Sequence, residues 1–285
     1  MNRIGCSGIS LAGRSLPEGV SLALERGFRA FEVLAFDGYH HSAGPLAGYY
    51  FEHMSTEERE KLRDLLSRFT HLTTHAPFLD MAPFAPNPSL RETAQRQLRL
   101  AVESAAYLGA SNTTTHVVPR LGRILADFRE DLIDLYRRLG DQAAAAGITV
   151  TIETGYPGEI ETFAQLVWDI NHPAVGATVD VGHLLGTIPA QLVGTPEGAT
   201  LYQVHLETHL NSLGRKLYHL HAHDVDPVTL RDHHAIGRGF LDWGRIAVIA
   251  SDLGFEGLFM LELEEPDVEQ ALVESKAALE AVLSA

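Results

Sequence analysis

The sequence predicts an α/β fold consisting of a single (β/α)8 barrel, and three observations support this prediction. Strand-like and helix-like segments alternate along the whole chain, which favours a parallel sheet. Eight such units are present, and eight units close a parallel sheet into a barrel. The length of 285 residues suits one barrel, which typically needs ~250 residues. Because no low-complexity linker interrupts the pattern, we expect residues 1–285 to form one domain.

The strand-like segments are short runs bounded by loops and enriched in apolar or β-branched residues. In chain order they cover residues 3–7, 28–34, 71–75, 112–116, 148–153, 176–180, 217–221 and 258–263. Residues two apart on a strand share a face. We therefore expect Thr151 to share a face with Glu153, and Thr178 to share one with Asp180. These smaller side chains would leave room near the barrel axis.

The helix-like segments follow the strands, and several carry recognisable end signals. They cover residues 16–26, 56–69, 90–108, 124–146, 160–170, 200–212, 243–253 and 268–283. Ser55 is the predicted N-cap of the second helix, with Glu57 and Glu58 in its first turn. Gly109 and Gly147 directly follow the third and fourth helices and are predicted to end them.

Composition and charge argue against several classes of protein. Hydrophobic residues make up 45% of the chain, but no stretch approaches the ~20 apolar residues of a membrane span. The first ten residues lack the basic start and apolar run of a signal peptide. Cys6 has no second cysteine to pair with, so we expect a cytoplasmic location. The net charge of −15 would repel a nucleic-acid backbone.

Metal-binding side chains fall at the predicted ends of successive strands or in the loops that follow them. They are His75, His116, Glu153, Asp180, His183, His221, Asp232, His234 and Glu262. In barrel enzymes the carboxyl ends of the strands form one face, and that face carries the chemistry. Imidazoles and carboxylates without thiolates suit Zn²⁺, Mn²⁺, Co²⁺ or Mg²⁺. A structural role is the commoner explanation of any one histidine, but nine such residues in this order predict a metal site.

Two assignments within this set stay open. Residues 219, 221 and 223 are all histidines on one strand face, so parity cannot choose among them. Position at the rim favours His221. In the following loop, His233 is adjacent to His234 and capable of the same role.

Seven short motifs in sequence order carry a resemblance to a known family. They read T-H-A-P-F at 74–78, T-H at 115–116, I-E-T at 152–154, D-V-G-H at 180–183, H-A-H-D at 221–224, D-H-H-A-I-G-R-G-F-L-D-W at 232–243 and G-F-E-G-L-F-M-L-E at 254–262. Together they resemble the xylose isomerase-like TIM barrels over most of the chain. That superfamily unites sugar-phosphate isomerases and epimerases with the AP endonuclease family 2 enzymes.

The resemblance to the isomerase and epimerase branch implies one divalent ion, Mn²⁺, Co²⁺, Mg²⁺ or Zn²⁺. It implies that Glu153, Asp180, His221 and Glu262 hold this ion, which would polarise the carbonyl of a sugar or sugar phosphate. Glu153 and Glu262 would then act as an acid–base pair through an enediolate. His183 would contact a substrate hydroxyl, so these three residues are the expected catalytic group.

The resemblance to the AP endonuclease branch implies a different chemistry on the same residues. All nine side chains would gather around as many as three zinc ions, as in an endonuclease IV-like phosphodiesterase. The A-P-F-L-D-M-A-P segment after His75 leans toward this branch. The G-R-G-F-L-D-W stretch at 237–243 leans toward the isomerases.

The predicted rim loops favour a small substrate over a duplex. A DNA enzyme presents Lys and Arg to phosphates, but loops 35–54, 76–89 and 181–198 contain neither residue. The cationic candidates in other rim loops are Arg14, Arg120, Arg123, Arg231 and Arg238. We predict Arg238, Phe78 and Trp243 as substrate-binding residues of a small-molecule sugar enzyme, and nucleic acid is the less expected partner. The resemblance also implies that a homo-oligomer is common.

A non-catalytic barrel that binds metal or sugar is the third hypothesis. Glu153 and Glu262 argue against it, because a pure binding module has no need for a facing carboxylate pair.

Overall fold

A closed barrel of eight parallel strands forms the centre of the molecule, as predicted. The computed structural model describes residues 3–41, 44–119 and 123–284. The strands are β1 (Ile4–Ser7), β2 (Ala30–Leu34), β3 (His71–His75), β4 (Asn112–Thr115), β5 (Thr149–Glu153), β6 (Val175–Asp180), β7 (Leu217–Ala222) and β8 (Phe259–Leu261). Neighbours in sequence are neighbours in the barrel, and β8 pairs with β1 to close it.

Seven α-helices connect successive strands, and an eighth follows β8. They are α1 (Leu16–Glu25), α2 (Thr56–Leu66), α3 (Pro88–Leu108), α4 (Arg129–Ala146), α5 (Ile160–Ile170), α6 (Pro196–Leu213), α7 (Trp243–Asp252) and α8 (Val268–Val282). A short two-stranded ribbon, His40–His41 with Gly44–Pro45, lies in the loop between β2 and α2. Among the described helices, none combines the length and the apolar composition needed to cross a bilayer.

The predicted helix ends are confirmed where a specific cap was named. Ser55 and Glu58 form a reciprocal capping box at the start of α2. Gly109 and Gly147 end α3 and α4 with φ values of 79° and 73°. These left-handed conformations are the ones that glycine adopts without steric cost.

Three helix starts differ from the prediction, and α3 differs least, since it begins at Pro88 instead of residue 90. α4 begins at Arg129 instead of residue 124, because residues 125–127 form a 3-10 turn and Phe128 has φ −144°. α6 begins at Pro196 instead of residue 200, because the Thr195 side chain accepts a hydrogen bond from Gly198 N and caps the helix. Proline at the first helical position lacks the N–H that would be unsatisfied there anyway.

The interior of the barrel is polar, whereas branched aliphatic side chains usually fill such a space. Thr178 Oγ1 lies 2.7 Å from Thr151 Oγ1, and Thr114 Oγ1 lies 3.2 Å from Thr178 Oγ1. Asn112 donates to Thr151 Oγ1 at 3.0 Å. The predicted strand parity is therefore confirmed. These hydroxyls lie one layer below the strand ends, where the predicted ligands are found.

The alternate residues of the same strands face outward and pack under the helices. Val150, Ile152 and Val179 are fully buried in the main hydrophobic core, which the apolar faces of the helices complete. Burial at ~25 cal/mol per Å² makes this layer the main stabilising contact of the fold. It also fixes the strands rigidly, and the strands in turn hold the side chains at their carboxyl ends.

Candidate metal centre

Four side chains converge at the carboxyl ends of β5 to β8. His221 Nδ1 lies 3.1 Å from Glu262 Oε2, 3.4 Å from Glu153 Oε2 and 3.7 Å from Asp180 Oδ2. All four side chains are buried, with at most 6% of their surface exposed. The structure thus brings together the four ligands that the resemblance to the isomerase branch implies.

The donor set fits a divalent ion. Asp180 Oδ2, His221 Nδ1 and Glu262 Oε2 are buried and make no well-formed hydrogen bond with any described part of the chain. Leaving such atoms unsatisfied is costly unless another group binds them. Ligands with bonds of about 2.1 Å to one ion are separated by about 3.0 to 3.4 Å at tetrahedral or octahedral edges. The observed separations are close to this range.

A second ligand group adjoins the first and shares Glu153. His116 Nε2 lies 3.0 Å from Glu153 Oε2, and His75 Nε2 lies 3.3 Å from the same oxygen. The two Nε2 atoms are 3.2 Å apart. His75 Nδ1 is 2.9 Å from the Ala76 carbonyl oxygen, so Nδ1 donates there and the Nε2 lone pair is available.

A third group consists of His183, Asp232 and His233, whose ligand atoms lie within 4.8 Å of one another. His183 Nδ1 donates to the Thr154 carbonyl oxygen at 2.8 Å, which leaves Nε2 as the free nitrogen. Gly182 permits the close approach of Asp232, because a Cβ at this glycine would lie 2.3 Å from Asp232 Cβ.

The structure brings His233 to the site and directs the predicted ligand His234 elsewhere. His234 Nδ1 lies 3.2 Å from Glu265 Oε1. Its backbone forms an antiparallel bridge with Asp224, which orients this segment of the loop. His233 adopts φ 61° and lies within the third group. The left-handed backbone at residue 233 sets the directions of the two adjacent side chains, and His233 takes the position expected of His234.

Charge compensation is strong throughout the centre. Burial alone would lower the pKa of His183, but the charges of Asp180 and Glu153 outweigh burial and raise this pKa to about 9. Burial alone would raise the pKa of Glu153, but the imidazoles of His116 and His221 outweigh it and hold this pKa well below its usual range. The carboxylates therefore remain ionised and require positive charge beside them. A divalent ion held by these side chains would supply that charge.

A cleft of about 490 Å³ opens onto this centre. Phe78 lines it and stacks on His116, with ring centroids 4.6 Å apart. Tyr156 and Leu185 form further parts of the wall, and His183 and Asp232 lie at its polar end. Phe78, a predicted substrate-binding residue, thus lies in the wall of this cleft.

Two other predicted substrate contacts are corrected by the structure. Trp243 begins α7 and is buried in the hydrophobic core, so it faces the helix packing and is not part of the described cleft wall. Arg238 donates to both carboxylate oxygens of Asp267 at 2.8 Å and also pairs with Glu274. Its guanidinium is therefore engaged by surface acids.

The other predicted cations are engaged as well, within the part of the chain that is described. Arg14 pairs with Glu269 at 2.8 Å, and Arg231 lies 3.5 Å from Glu264. Arg123 donates to the carbonyl oxygen of Phe84 at 2.9 Å. Arg120 lies outside the described residues.

Sequence reasoning missed several buried polar residues around the centre. Glu32, in the middle of β2, contacts His221 and His219 from below. His223 Nε2 lies 3.0 Å from Asp180 Oδ1. Asp224 accepts hydrogen bonds from the backbone N–H groups of Val225, Gly237 and Leu241 and so shapes the loop after β7. A charged residue inside the apolar run A-F-E-V-L was the sequence signal for Glu32.

Comparisons with known proteins agree with this architecture. Residues 20–282 match the family model described as xylose isomerase-like TIM barrel. The uncharacterized protein MJ1311 of Methanocaldococcus jannaschii is 23% identical over 270 residues, which cover 91% of this chain and 83% of that protein.

Solved structures show the same fold. A D-tagatose 3-epimerase-like protein superposes with a TM-score of 0.73 at 20% identity, over 99% of this chain and 97% of the other. The IolI protein with a bound zinc atom has a TM-score of 0.73 at 16% identity, over 99% and 98% of the two chains. The family match spans the chain except residues 1–19, which include β1, and residues 283–285. The chain therefore belongs to the xylose isomerase-like TIM barrel family.

Proposed function

We propose that this protein is a divalent-metal-dependent isomerase or epimerase of a small, uncharged sugar. The observation that carries the proposal is the convergence of Glu153, Asp180 and Glu262 on His221 Nδ1. This group lies beside a small cleft that is lined by His116, His183 and Asp232. Two of these ligands are glutamates, whose carboxylates are the usual acid–base groups for proton transfer at carbon.

The size and charge of the cleft support an uncharged substrate. A volume of about 490 Å³ suits a small molecule. The described arginines among the rim-loop candidates are engaged by carboxylates or backbone carbonyls, so they offer no free cation to the cleft. Phe78 and Tyr156 provide apolar surface for the carbon face of a sugar ring or chain.

Different residues of this chain have different roles in the proposed reaction. When bound, the ion supplies Lewis-acid polarisation of the substrate carbonyl. One of Glu153 and Glu262 removes the proton from the carbon beside that carbonyl, and the carbon's electron pair forms an enediolate. The other glutamate returns a proton, to the opposite face for epimerisation or to the neighbouring carbon for isomerisation. His183, half-buried at the edge of the cleft, holds a substrate hydroxyl.

Similar proteins support the same class of reaction. Structures that share this fold include the D-tagatose 3-epimerase-like protein and an L-ribulose 3-epimerase. The zinc atom in IolI supports a metal requirement.

Solvent exchange tests the proposal directly. A panel of aldoses and ketoses, free and phosphorylated, is incubated in D₂O with protein loaded with Mn²⁺, Co²⁺, Mg²⁺ or Zn²⁺. Deuterium incorporation beside the carbonyl is expected, and ¹H NMR detects it. Glu262→Gln should reduce the exchange rate by about 10²- to 10⁴-fold. Glu207→Gln is the matched control, because Glu207 lies on α6 and pairs with Arg245 of α7 outside the described cleft wall and ligand groups; it should leave the rate unchanged.

The outcomes separate the three classes of function. Absence of exchange from every sugar would remove the isomerase proposal. A non-catalytic module would bind a sugar without exchange and keep most of its affinity after Glu262→Gln.

A multinuclear phosphodiester hydrolase is the second candidate, favoured by the three adjacent ligand groups. Elemental mass spectrometry on protein purified without chelator discriminates the two functions. Close to three zinc ions per chain, with cleavage of abasic-site DNA or a small chromogenic phosphodiester, would support the hydrolase. About one ion per chain would support the isomerase.

A further inference from the structure

A buried glutamate lies directly below the candidate metal centre. Glu32, in the middle of β2, is 0% exposed. Its Oε1 lies 3.3 Å from His221 Nε2, and its Oε2 lies 3.5 Å from His219 Nε2. Ser7 and Thr73 each donate a hydroxyl to it at 3.3 Å, one to each carboxylate oxygen. Every partner is a side chain of the barrel interior.

Such a carboxylate is expensive to bury unless it has a compensating partner. The hydroxyls of Ser7 and Thr73 hold the carboxylate in place but carry no charge to offset its own. The two imidazoles of β7 are its remaining polar contacts given by the structure. His219 and His221 are therefore the side chains that can compensate the negative charge of Glu32.

The two nitrogens of His221 face opposite ends of the barrel. Nε2 contacts Glu32 below, and Nδ1 contacts Glu153, Asp180 and Glu262 above. A neutral imidazole carries its proton on one nitrogen, and the hydrogen bond of that nitrogen determines which one is left as a metal ligand. A carboxylate behind a ligating histidine fixes the ring and makes the ligating nitrogen more basic.

We propose that Glu32 is a positioning residue. It accepts a hydrogen bond from the protonated Nε2 of His221 and thereby presents the Nδ1 lone pair to the metal ion. His219 Nε2, two residues earlier on the same strand face, lies 3.5 Å from the other oxygen and would keep the carboxylate directed at His221. This inference rests on the metal binding in the proposed function and is independent of which reaction follows.

The rival arrangement is a second ion held by Glu32, His219 and His221 themselves, whose ligand atoms lie within 4.8 Å of one another. It would require His221 to bind an ion through each ring nitrogen. Each Glu32 oxygen also already accepts a hydrogen bond from a hydroxyl group. The positioning role requires an ion at only one nitrogen of His221, and it leaves both hydroxyl hydrogen bonds to Glu32 in place.

Metal affinity of the full-length protein tests the proposal. Chelator competition is used to measure the Zn²⁺ and Co²⁺ dissociation constants of the wild type, Glu32→Gln, Glu32→Asp and the control Glu207→Gln. Glu32→Gln removes the negative charge at nearly constant volume and should weaken binding by about 10- to 100-fold. Glu32→Asp keeps the charge and should recover part of the loss, whereas Glu207→Gln should match the wild type.

The readings distinguish failure of this inference from failure of the proposed function. If the wild type binds no divalent ion, the metal site of the proposed function is wrong. If the wild type binds tightly and Glu32→Gln binds within twofold of it, Glu32 has no positioning role. Loss of one whole ion per chain in Glu32→Gln, with the others held as before, would make Glu32 a ligand and overturn the proposal.

NMR of the wild type supplies a reading that does not depend on the fold of any variant. Zinc-loaded protein labelled with ¹⁵N-histidine should show His221 with Nδ1 bound to the metal and Nε2 carrying a proton. Zinc on Nε2, or an unprotonated second nitrogen, would contradict the role of Glu32.

Discussion

His233 and His234 are adjacent in the loop after β7 but occupy different environments. This difference places His233 in the third ligand group. His233 Nδ1 lies 3.1 Å from the Glu262 carbonyl oxygen, and its other nitrogen lies 4.0 Å from Asp232 Oδ1. His234 contacts Glu265. The same loop is tied to the metal centre by His223, whose Nδ1 accepts the backbone N–H of His233 at 3.0 Å.

Single alanine substitutions at these histidines should have unequal effects. His233→Ala removes a nitrogen from the third ligand group, so an ion held there, as the second candidate function requires, would be bound at least ~10-fold more weakly. His234→Ala removes a contact with Glu265 and should leave metal affinity close to that of the wild type. Elemental mass spectrometry after dialysis against a weak chelator measures the difference. Equal metal content in the two variants would contradict this assignment, and greater loss in His234→Ala would reverse it.

At the scale of the element, α6 contains a buried histidine outside the candidate site. His209 is 3% exposed and meets the edge of Phe163 on α5, with ring centroids 5.2 Å apart. Neither ring nitrogen has a hydrogen-bond partner among the described residues. Burial lowers the pKa of His209 to about 4, because no acceptor stabilises the charged ring.

This pKa shift should make the protein less stable in acid. Below pH 6.5 the unfolded chain binds a proton at His209, and the folded protein does not bind it until about pH 4. The free energy of unfolding therefore falls as the pH falls from 6.5 to 4, by about 2 kcal/mol at pH 5 from this group. Above pH 6.5 the group makes no contribution.

His209→Leu should remove the effect. The stability of the variant relative to the wild type should rise by about 2 kcal/mol between pH 8 and pH 5. Urea denaturation of both metal-free proteins at the two pH values measures the change. A relative stability that is the same at both values would show that His209 is protonated in the folded state as readily as in the unfolded chain.

For the molecule as a whole, the largest electrostatic feature is negative charge around a buried group of carboxylates. The chain carries a net charge of −15, and Glu32, Glu153, Asp180 and Glu262 lie together inside or at the end of the barrel. Bringing these four carboxylates together opposes folding unless cations or protons accompany them. A divalent ion that binds the folded protein and not the unfolded chain stabilises the folded state by mass action.

Removal of the metal should accordingly lower the melting temperature. At a free ion concentration about 100 times the dissociation constant, binding adds about 2.7 kcal/mol, which corresponds to roughly 5 °C for a chain of this length. Differential scanning fluorimetry with and without chelator, followed by addition of each ion, measures the shift. Glu262→Gln should respond less than Glu207→Gln. Identical melting curves with and without metal would contradict ion binding at this centre.

The fold was readable from local patterns. Alternating strand-like and helix-like segments predicted the closed barrel. The Ser55 cap predicted the start of α2, and the two glycines predicted the C-terminal ends of α3 and α4. Those signals depend on residues a few positions apart. The start of α4 was misjudged because apolar residues before Arg129 continue the helical pattern without the helical backbone.

The candidate centre was partly predictable from the sequence, because the carboxyl ends of parallel strands lie at one face of the barrel. That rule placed nine metal-binding side chains at one face, and the resemblance to the isomerase branch selected Glu153, Asp180, His221 and Glu262 from them. It could not choose His233 over His234, since a left-handed turn at residue 233 sets their directions.

By itself, the sequence determined the barrel, its polar strand faces and the identity of most of the clustered side chains, because each depends on periodicity within one segment. Only the tertiary structure decided the contact of Glu32 with His221 and the pairing of Arg238 with Asp267. Each of these pairs joins elements far apart in the chain. Their contact depends on strand register and helix packing across the closed barrel, and local periodicity carries no information about either.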